Sequence, residues 1–532
     1  MSPSPAIILC TLNARYIHAS LGLRYLLANL ARHGGEDLRA ATALCEFTIK
    51  RPVAEIVAAL LDELGEADEG VTQIVGFGVY IWNVEPTTEV VRQLKEARPD
   101  LKVVLGGPEV SHEWEEQEIV RLADHLITGW GDVSFPKLCR ALRAGPPPLM
   151  KVIPGEQPPL DQIELPYAEY SADDLAHRLL YVEASRGCPF KCEFCLSALD
   201  KTAWAFDEAR FLTALDALYQ RGARHFKFVD RTFNLKIDSS LRILQFFLER
   251  LTPDLFLHFE VIPDHLPERL KAMIQRFPPG VLQFEIGIQT FNPAVQQRIS
   301  RRQDNEQTVV NLDWLAQYSP AHLHADLIFG LPGESVESFA ASFDRLYAHH
   351  PHEIQLGILK RLRGTPIVRH GEEFGMVYAA RPPYSVVQTG AVDAASVAAF
   401  GRLARYWDLY ANSGRFPQSL PLLLQAASPF AAFSAFADWL WQSTCRTSGF
   451  TPESLVDSLF DYLTQVLGHA AEAIRPLLLA DYLTSGARAN PACLQGLLKD
   501  REKPAARTAG GLAQRQERHG GVAPDAFTAV SG

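Results

Sequence analysis

Three cysteines that stand close together are the residues of this chain whose types and spacing could do chemistry. Cys188, Cys192 and Cys195 lie in the segment SRGCPFKCEFC, residues 185–195, with the spacing C-x3-C-x2-C and with Phe194 directly before the third cysteine. Three thiolates from one short loop can hold a metal centre, but they leave one position of a four-ligand site open. The spacing therefore indicates a metal centre with one position free for a small ligand.

A structural zinc site, or chance clustering, is the alternative interpretation of the same cysteines. A structural zinc site is closed by a fourth Cys or His ligand, and none stands at ligand spacing near residues 188–195. The other cysteines are scattered without paired spacing, which is typical of a reducing compartment rather than of a disulfide framework. They are Cys10, Cys45, Cys139, Cys445 and Cys493. We therefore favour an open, reactive centre.

The composition is that of a globular chain with several domains. Its 532 residues are 47% apolar and 21% charged, which suggests about three domains. The net charge of −11 argues against a generally basic nucleic-acid binder. The first residues lack the basic region of a signal peptide, and prolines and polar residues interrupt the most apolar stretch, 420–441. We expect a cytoplasmic protein with no membrane span and no clear nucleic-acid signal.

The first part of the chain alternates short apolar runs with amphipathic segments. The predicted strands lie at 6–11, 74–80 and 102–105, and the predicted helices at 21–31 and 89–97. Strands that alternate with helices indicate a parallel, doubly wound sheet. We therefore predict an α/β, Rossmann-like domain over residues 1–145. The proline-rich stretch that follows, 146–175, is predicted to be a linker.

A second series of strand–helix units is predicted from residue 176 to residue 365. Its strands are expected at 181–185, 225–230, 256–262, 284–290, 324–329 and 353–359. Six units form a partial (β/α)6 barrel, in which reactive loops follow the strand C-termini, and the cysteine loop does follow the first strand. Residues 366–500 are predicted to form a helical domain because Ala, Leu and aromatic residues recur at helical spacing. Residues 501–532 are predicted to be a disordered tail.

The cysteine segment resembles the signature of the radical S-adenosylmethionine (radical SAM) superfamily, which has this spacing with an aromatic residue at the position of Phe194. The resemblance implies a 4Fe–4S cluster on Cys188, Cys192 and Cys195 and a cofactor contact at Phe194. In that superfamily the open iron chelates the amino and carboxylate groups of S-adenosylmethionine (SAM). An electron then splits the sulfonium to give a 5′-deoxyadenosyl radical. An external donor such as flavodoxin or ferredoxin is the partner that this chemistry implies.

The loop after the second predicted barrel strand carries two further candidates, Asp230 and Asn234. Radical SAM proteins use this loop to bind the ammonium group of SAM, although their common Gly-Gly-Glu form is absent here. The resemblance implies that the carboxylate and the amide accept hydrogen bonds from SAM. An Asx turn that caps the next helix is the alternative interpretation.

The fourth and fifth predicted strands also resemble parts of radical SAM barrels. Alternation aims Glu285 and Gln289 at one face of their strand, which is similar to the strand that contacts the methionine and ribose portions of SAM. Gly330, in the segment DLIFGLPGE, resembles the adenine-contacting motif in the version found in oxygen-independent coproporphyrinogen oxidases. Arg302 is a candidate partner for the methionine carboxylate, with a surface arginine as the alternative.

The N-terminal domain resembles the cobalamin-binding domains that are fused in front of radical SAM barrels. Glycines at strand ends, Gly106 and Gly107 above all, allow a backbone to approach a flat ligand or a nucleotide tail. The Asp-x-His-x-x-Gly motif that supplies a histidine to cobalt is absent. Aligning its glycine with Gly22 puts Ala19 at the histidine position, while His18 is one position off. We expect cobalamin binding without a histidine on cobalt.

The whole arrangement is similar to a bacterial family of cobalamin-type radical SAM proteins with an uncharacterised C-terminal domain. The expected function is reductive cleavage of SAM at a 4Fe–4S cluster, with cobalamin, to methylate or rearrange a substrate that the sequence does not name. Large rings at Tyr80, Trp82 and Trp130 are expected to cover the corrin. Two alternatives remain: methylthiotransferase-like modification of RNA or protein, which needs a second cluster, and a non-catalytic iron–sulfur or corrinoid-binding protein.

Overall fold

The computed structural model describes residues 5–66, 70–485, 487, 489–498 and 518–519 of the chain. Most of the predicted tail, 501–532, lies outside these described residues. Within them, no helix is long and apolar enough to cross a membrane. The elements form three consecutive groups: an N-terminal sheet with helices, a central strand–helix barrel and a mainly helical C-terminal part.

The N-terminal group is a parallel sheet between two layers of helices. Its strands are β1 (Ile7–Asn13), β2 (Thr42–Thr48), β3 (Ile74–Gly78), β4 (Lys102–Gly106), β5 (His125–Thr128) and β6 (Val152–Pro154). Its helices are α1 (Leu21–Gly34), α2 (Glu36–Ala40), α3 (Val53–Leu64), α4 (Val84–Ala97), α5 (Glu118–Leu122) and α6 (Ser134–Ala144). The strand order β2-β1-β3-β4-β5-β6 reverses direction at β1, where doubly wound sheets bind ligands. The predicted Rossmann-like fold is confirmed.

Both faces of this sheet are covered by apolar side chains, as parallel strands require. Every residue of β1 is buried. Ile8 and Cys10 pack on one face with α3 and α4, and Ile7 and Leu9 pack on the other face with α1 and α6. The two helix layers leave the C-terminal edge of the sheet free to form a site.

The central group is the predicted barrel. Its strands are β7 (Leu180–Val182), β8 (Ser185–Arg186), β9 (Trp204–Ala205), β10 (His225–Phe228), β11 (Phe256–Val261), β12 (Leu282–Gln289), β13 (His322–Phe329) and β14 (Glu353–Ile358). Its helices are α7 (Ala172–His177), α8 (Glu208–Gln220), α9 (Ile237–Leu248), α10 (Glu268–Ile274), α11 (Pro293–Arg298), α12 (Asn305–Tyr318) and α13 (Val336–Tyr347). Six strands pair in the order β14-β13-β12-β11-β10-β7, all in parallel. The short pair β8–β9 brackets the cysteine loop.

The C-terminal group is helical from residue 394 onward. Its helices are α14 (Ala394–Tyr410), α15 (Leu420–Leu424), α16 (Pro429–Thr444), α17 (Pro452–Asp461) and α18 (Ala471–Thr484). It shares one hydrophobic core with the barrel. At their junction the rings of Phe329 in β13 and Phe400 in α14 stack at 4.0 Å between centroids.

Two short stretches of strand depart from the sequence-based prediction. The predicted linker contributes β6 to the edge of the N-terminal sheet, where a strand that ends in proline is tolerated. The predicted helical domain begins instead with an antiparallel pair, β15 (Val377–Tyr378) and β16 (Val386–Gln388). Strands of two or three residues are too short for a periodic pattern to show in the sequence.

Candidate active site

The three cysteines lie in the loop between β8 and β9, after the first barrel strand as predicted. Gly187 opens the loop at a φ of +82°, and a Cβ there would be 2.8 Å from the backbone nitrogen of Ala203, so the position requires glycine. The Cys195 N–H donates to the Cys192 carbonyl at 3.1 Å. Together with Cys188, these cysteines line one cavity of about 950 Å³. The cavity lies at the C-terminal ends of β11 and β12.

The three thiols do not have the close grouping that a single tetrahedral metal ion requires. One tetrahedral zinc with bonds of about 2.3 Å needs sulfurs roughly 3.8 Å apart. Among the described residues, no three Cys, His, Asp or Glu side chains are grouped closely enough to hold one metal ion. The three thiols do line the same cavity. Burial raises the pKa of Cys188 and of Cys192, and the charge of Cys195 adds to both rises. A 4Fe–4S cluster is held by cysteine thiolates, so the three thiols would lose their protons on binding it.

Arg301 is a site residue that the sequence interpretation missed. Its Nη1 lies 3.7 Å from the Cys192 Sγ, and its Nη2 donates to the Gly287 carbonyl. Gln303 Oε1 accepts from Arg301 Nε at 3.0 Å and holds the guanidinium in place. The sequence candidate, Arg302, lies on the exposed rim of the same cavity. Two adjacent arginines follow α11. Only the conformation of the turn after the helix determines which of the two side chains points to Cys192 inside the cavity.

Alternation along β12 is confirmed. Glu285, Gly287 and Gln289 line the cavity, whereas Phe284 and Ile286 are buried in the core. Gln289 has a φ of +69°, a conformation that few residues other than glycine adopt. The strand therefore presents one acid and one amide to the cavity, as the sequence predicted.

Glu285 belongs to a network of ionisable groups inside the barrel. Lys227 Nζ lies 3.1 Å and His258 Nε2 lies 2.9 Å from the same Glu285 oxygen, Oε2. Burial alone would raise the pKa of Glu285, but the hydrogen bond from His258 and the charge of Lys227 lower it overall. Asp326 also lines the cavity, and its Oδ1 lies 3.4 Å from His324 Nε2. The interior is charged here, whereas branched apolar residues usually fill such barrels.

Asp230 lies behind the cysteine loop, where it lines a neighbouring cavity with Ala184 and Ser185, and its role as a SAM contact stays a prediction. Its Oδ2 accepts from the Ala184 N–H at 2.9 Å, and its Oδ1 accepts from Ser185 Oγ at 2.5 Å. Burial raises the pKa of Asp230 to about 7, although both hydrogen bonds lower it in part. The carboxyl group therefore holds the start of β8, three residues before the first cysteine.

Asn234 and Gly330 are not among the described residues that line the cavity, and their roles as SAM contacts stay predictions. Asn234 is buried, its Nδ2 donates to the Ile262 carbonyl, and its Oδ1 accepts from the Ile262 N–H. The amide thus joins two barrel loops through backbone groups. Gly330 faces Val386 of β16, 2.6 Å from where a Cβ would lie. Phe194 does line the cavity, as predicted.

Replacing Asp230 by asparagine should flatten the fall in stability between pH 5 and pH 8. The folded protein holds the Asp230 proton up to a pKa of about 7, against an ordinary pKa of 3.8. The unfolded chain releases this proton at lower pH, so stability falls as pH rises through this window. The fall is at most about 3 kcal/mol, at about 1.36 kcal/mol for each pH unit between 5 and 7. The asparagine side chain cannot ionise and mimics the neutral acid.

Thermal unfolding of the wild type and of Asp230→Asn at both pH values measures this effect. Asp238→Asn is the matched control, because Asp238 is exposed at the start of α9. The control should keep the pH dependence of the wild type. An equal loss of stability from pH 5 to pH 8 in Asp230→Asn and in the wild type would show that Asp230 does not hold a proton in the folded state.

A second cavity, of about 880 Å³, lies at the C-terminal edge of the N-terminal sheet. Gly107 there has a φ of +110°, and a Cβ would lie 2.5 Å from the Val79 carbonyl oxygen. A Cβ on Gly76 would lie 2.8 Å from the Phe135 ring, whereas one on Gly106 would have no atom closer than 3.7 Å. Gly106 and Gly107 both line the cavity. Glycines that line a cavity at the switch point of the sheet leave room for a flat ligand with a nucleotide tail.

Large rings cover this cavity, but His18 lies elsewhere. Tyr80 and Trp130 line it as predicted. Trp82 stacks on Tyr80 with centroids 4.5 Å apart instead of facing the cavity. His18 Nδ1 is 2.8 Å from the Tyr181 hydroxyl, and burial lowers the His18 pKa. None of the described residues that line this cavity is a histidine, and the absence of a histidine on cobalt stays a prediction.

Charged contacts join the two cavities. Arg186 lies two residues before the first cysteine and lines the N-terminal cavity, where its Nη1 is 2.8 Å from Asp132 Oδ2. Asp200, also in the cysteine loop, accepts from Trp130 Nε1 at 2.8 Å. The Asp200 carbonyl in turn accepts from the Cys188 N–H at 3.0 Å. The cysteine loop therefore forms a wall of both cavities.

Family models match the chain in three consecutive segments. Residues 8–139 match a B12 binding domain, and residues 182–346 match the radical SAM superfamily. Residues 372–521 match a protein family of unknown function, DUF4080, and this match runs into the predicted tail. These matches confirm the predicted resemblance for all three parts.

Curated relatives match only parts of the chain. An uncharacterized methyltransferase of Pyrococcus horikoshii is 27% identical over 255 residues, which is 42% of this chain and 52% of that protein. The cobalamin-dependent radical SAM methyltransferase TokK of Streptomyces tokunonensis is 26% identical over 244 residues, which is 40% of this chain and 34% of that protein. The chain thus spans about half, or less, of the length of these relatives.

A solved structure covers nearly all of the chain. The cobalamin-dependent SAM radical enzyme OxsB, with aqua-cobalamin and SAM bound, superposes with a TM-score of 0.60. The alignment covers 97% of this chain and 83% of OxsB at 14% identity. At that identity the likeness shows the shared fold, from the N-terminal sheet through the barrel to the helical part.

Proposed function

We propose that this chain, in which a B12-binding domain precedes a radical SAM domain, is an enzyme that cleaves SAM reductively and methylates or rearranges its substrate with the help of cobalamin. The observation that carries the proposal is the position of the cysteine loop between two cavities. The barrel cavity is lined by the three thiols, and the N-terminal cavity is lined by glycines. Two cofactors held on opposite sides of one loop can act on the same substrate.

The chain supplies distinct groups for each cofactor. Cys188, Cys192 and Cys195 would hold the 4Fe–4S cluster, and the glycine-lined cavity would hold cobalamin. When bound, the reduced cluster supplies the electron that cleaves SAM, and cobalamin supplies a methyl carrier. Arg301 is the cation that would pair with the SAM carboxylate, and Gln289 is the amide that would orient the rest of SAM. An external one-electron donor such as flavodoxin or ferredoxin would reduce the cluster.

The methylthiotransferase alternative needs a second cluster on N-terminal cysteines, and their positions argue against it. Cys10 is buried in the core on one face of the N-terminal sheet. Cys139 is buried in the core on the other face. Cys45 lies beside Cys10 on the neighbouring strand, and the sheet separates both of them from Cys139, so the three thiols do not share one site. We therefore retain the cobalamin-assisted reaction.

Arg301→Gln should weaken SAM binding by about 10- to 100-fold, the loss that removal of a charged hydrogen-bond partner brings. The cluster should remain, because arginine is not one of its ligands. Equilibrium binding of SAM to the anaerobically reconstituted protein measures the change. Arg302→Gln is the matched control from the exposed rim of the cavity, and its effect should be several-fold smaller. Unchanged affinity in Arg301→Gln would contradict the assignment.

A further inference from the structure

Glu193 is a buried acid inside the cysteine loop, between Cys192 and Cys195. Its side chain is only 4% exposed. One carboxylate oxygen, Oε2, lies 2.9 Å from His370 Nε2. The other, Oε1, accepts from Ser300 Oγ at 2.5 Å and from the guanidinium of Arg369. All of these partners lie more than a hundred residues further along the chain.

The backbone of Glu193 is bound to the same two segments. Its N–H donates to the Ile299 carbonyl at 3.0 Å, at the end of α11. Its carbonyl accepts from the Ile367 N–H at 3.0 Å, just before the C-terminal part. One residue of the loop is thus fixed through both its side chain and its peptide groups.

The neighbouring Phe194 is anchored by the same segment through apolar contacts. It packs against a small hydrophobic cluster, separate from the main core, that contains Ile299, Ile367 and Met376. Phe374 and Val386 belong to or pack on this cluster as well. Glu193 and Phe194 therefore give two independent contacts, one polar and one apolar, between the cysteine loop and residues 366–386.

We propose that residues 366–386 complete the cluster-binding loop, and that Glu193 and His370 are positioning residues for the cluster. A buried carboxylate is costly unless its oxygens are bonded, and here the bonds determine where Cys192 and Cys195 stand. Groups that hold metal ligands in place affect metal affinity by about 10- to 100-fold. The inference rests on the proposed function, because it assumes a cluster on the three cysteines.

This placement gives the C-terminal part a physical role at the reactive centre. The match to the family of unknown function begins at residue 372, two residues after His370. The start of that part contacts the second half of the cysteine loop through Glu193 and Phe194. Removing or displacing it would release Cys192 and Cys195 together.

The experiment compares wild-type full-length chain with Glu193→Ala and His370→Ala after anaerobic reconstitution. It measures iron and sulfide per chain, the rate of iron loss to a chelator, and the midpoint potential of the cluster. Both variants should lose iron at least about tenfold faster, with a shifted potential. The rate of iron loss in the double variant should be increased by much less than the product of the two single increases, because both substitutions remove one shared contact.

Conservative and control variants keep the result interpretable. Glu193→Gln and His370→Gln retain volume and one hydrogen bond, so they should lose iron faster than wild type but more slowly than the alanine variants. Glu372→Ala alters an exposed acid of the same segment and should behave as wild type. Wild-type protein that binds no cluster would overturn the proposed function. Wild-type protein with a stable cluster, beside glutamine variants with wild-type iron loss and potential, would overturn this inference alone.

Discussion

Replacing Cys188, Cys192 and Cys195 together by alanine should reduce the iron and sulfide of the reconstituted protein from about four of each per chain to nearly none. The three thiols line one cavity, and a 4Fe–4S cluster is held by cysteine thiolates. The brown absorbance of the cluster should vanish with the iron. Iron and sulfide analysis, together with the visible spectrum, measures the loss.

Cys445→Ala is the matched control for the triple variant. Cys445 is an exposed free cysteine of the C-terminal part, so its loss should leave the cluster intact. Circular dichroism of the triple variant should show the wild-type helix and strand content, because the loop lies outside the main strands. A triple variant that still holds four irons would show that the ligands have been assigned incorrectly.

Filling the glycine-lined cavity should have the second largest effect. A Cβ on Gly106 would have no atom closer than 3.7 Å, so a leucine there extends into the cavity without displacing backbone. The added side chain competes with the ligand for the same volume, and overpacking costs about 1–3 kcal/mol. Gly106→Leu should therefore weaken cobalamin binding by about 10- to 100-fold. Anaerobic equilibrium binding of hydroxocobalamin measures the change.

Gly106→Ala provides a graded control at the same position. Its single methyl group fits the free space, so its affinity should stay within a few-fold of wild type. The melting temperature of Gly106→Leu without cobalamin should match that of wild type, since the side chain points into the cavity. Equal cobalamin affinity in the leucine variant and in the wild type would place the ligand elsewhere.

Local patterns were enough to predict the parts of the site that depend on neighbouring residues in the sequence. The cysteine spacing predicted one loop after a strand, and strand alternation predicted the shared face of Glu285 and Gln289. Strand–helix alternation likewise predicted that the strands of both large sheets run parallel. These features depend on periodicity and on the handedness of βα units, which a single sequence carries.

Contacts between distant segments were beyond the reach of the sequence. The place of Asp230 after a strand predicts a contact with SAM, but the hydrogen bonds that its oxygens accept from Ala184 and Ser185 leave no mark in the sequence. The choice between Arg301 and Arg302 depends on one turn after α11. The partners of Glu193 come from the turn after α11 and from residues 366–370, so no local pattern marks Glu193 as a structural residue.

The most direct test of the central claim is the fate of SAM in the reduced, reconstituted protein. Wild-type protein with a chemical or flavodoxin reductant should convert SAM to methionine and 5′-deoxyadenosine, both quantified by mass spectrometry. The triple cysteine variant under the same conditions should form neither product above background. Wild-type protein that carries a full cluster and binds SAM, but forms no 5′-deoxyadenosine even with cell extract as a source of substrate, would contradict the account.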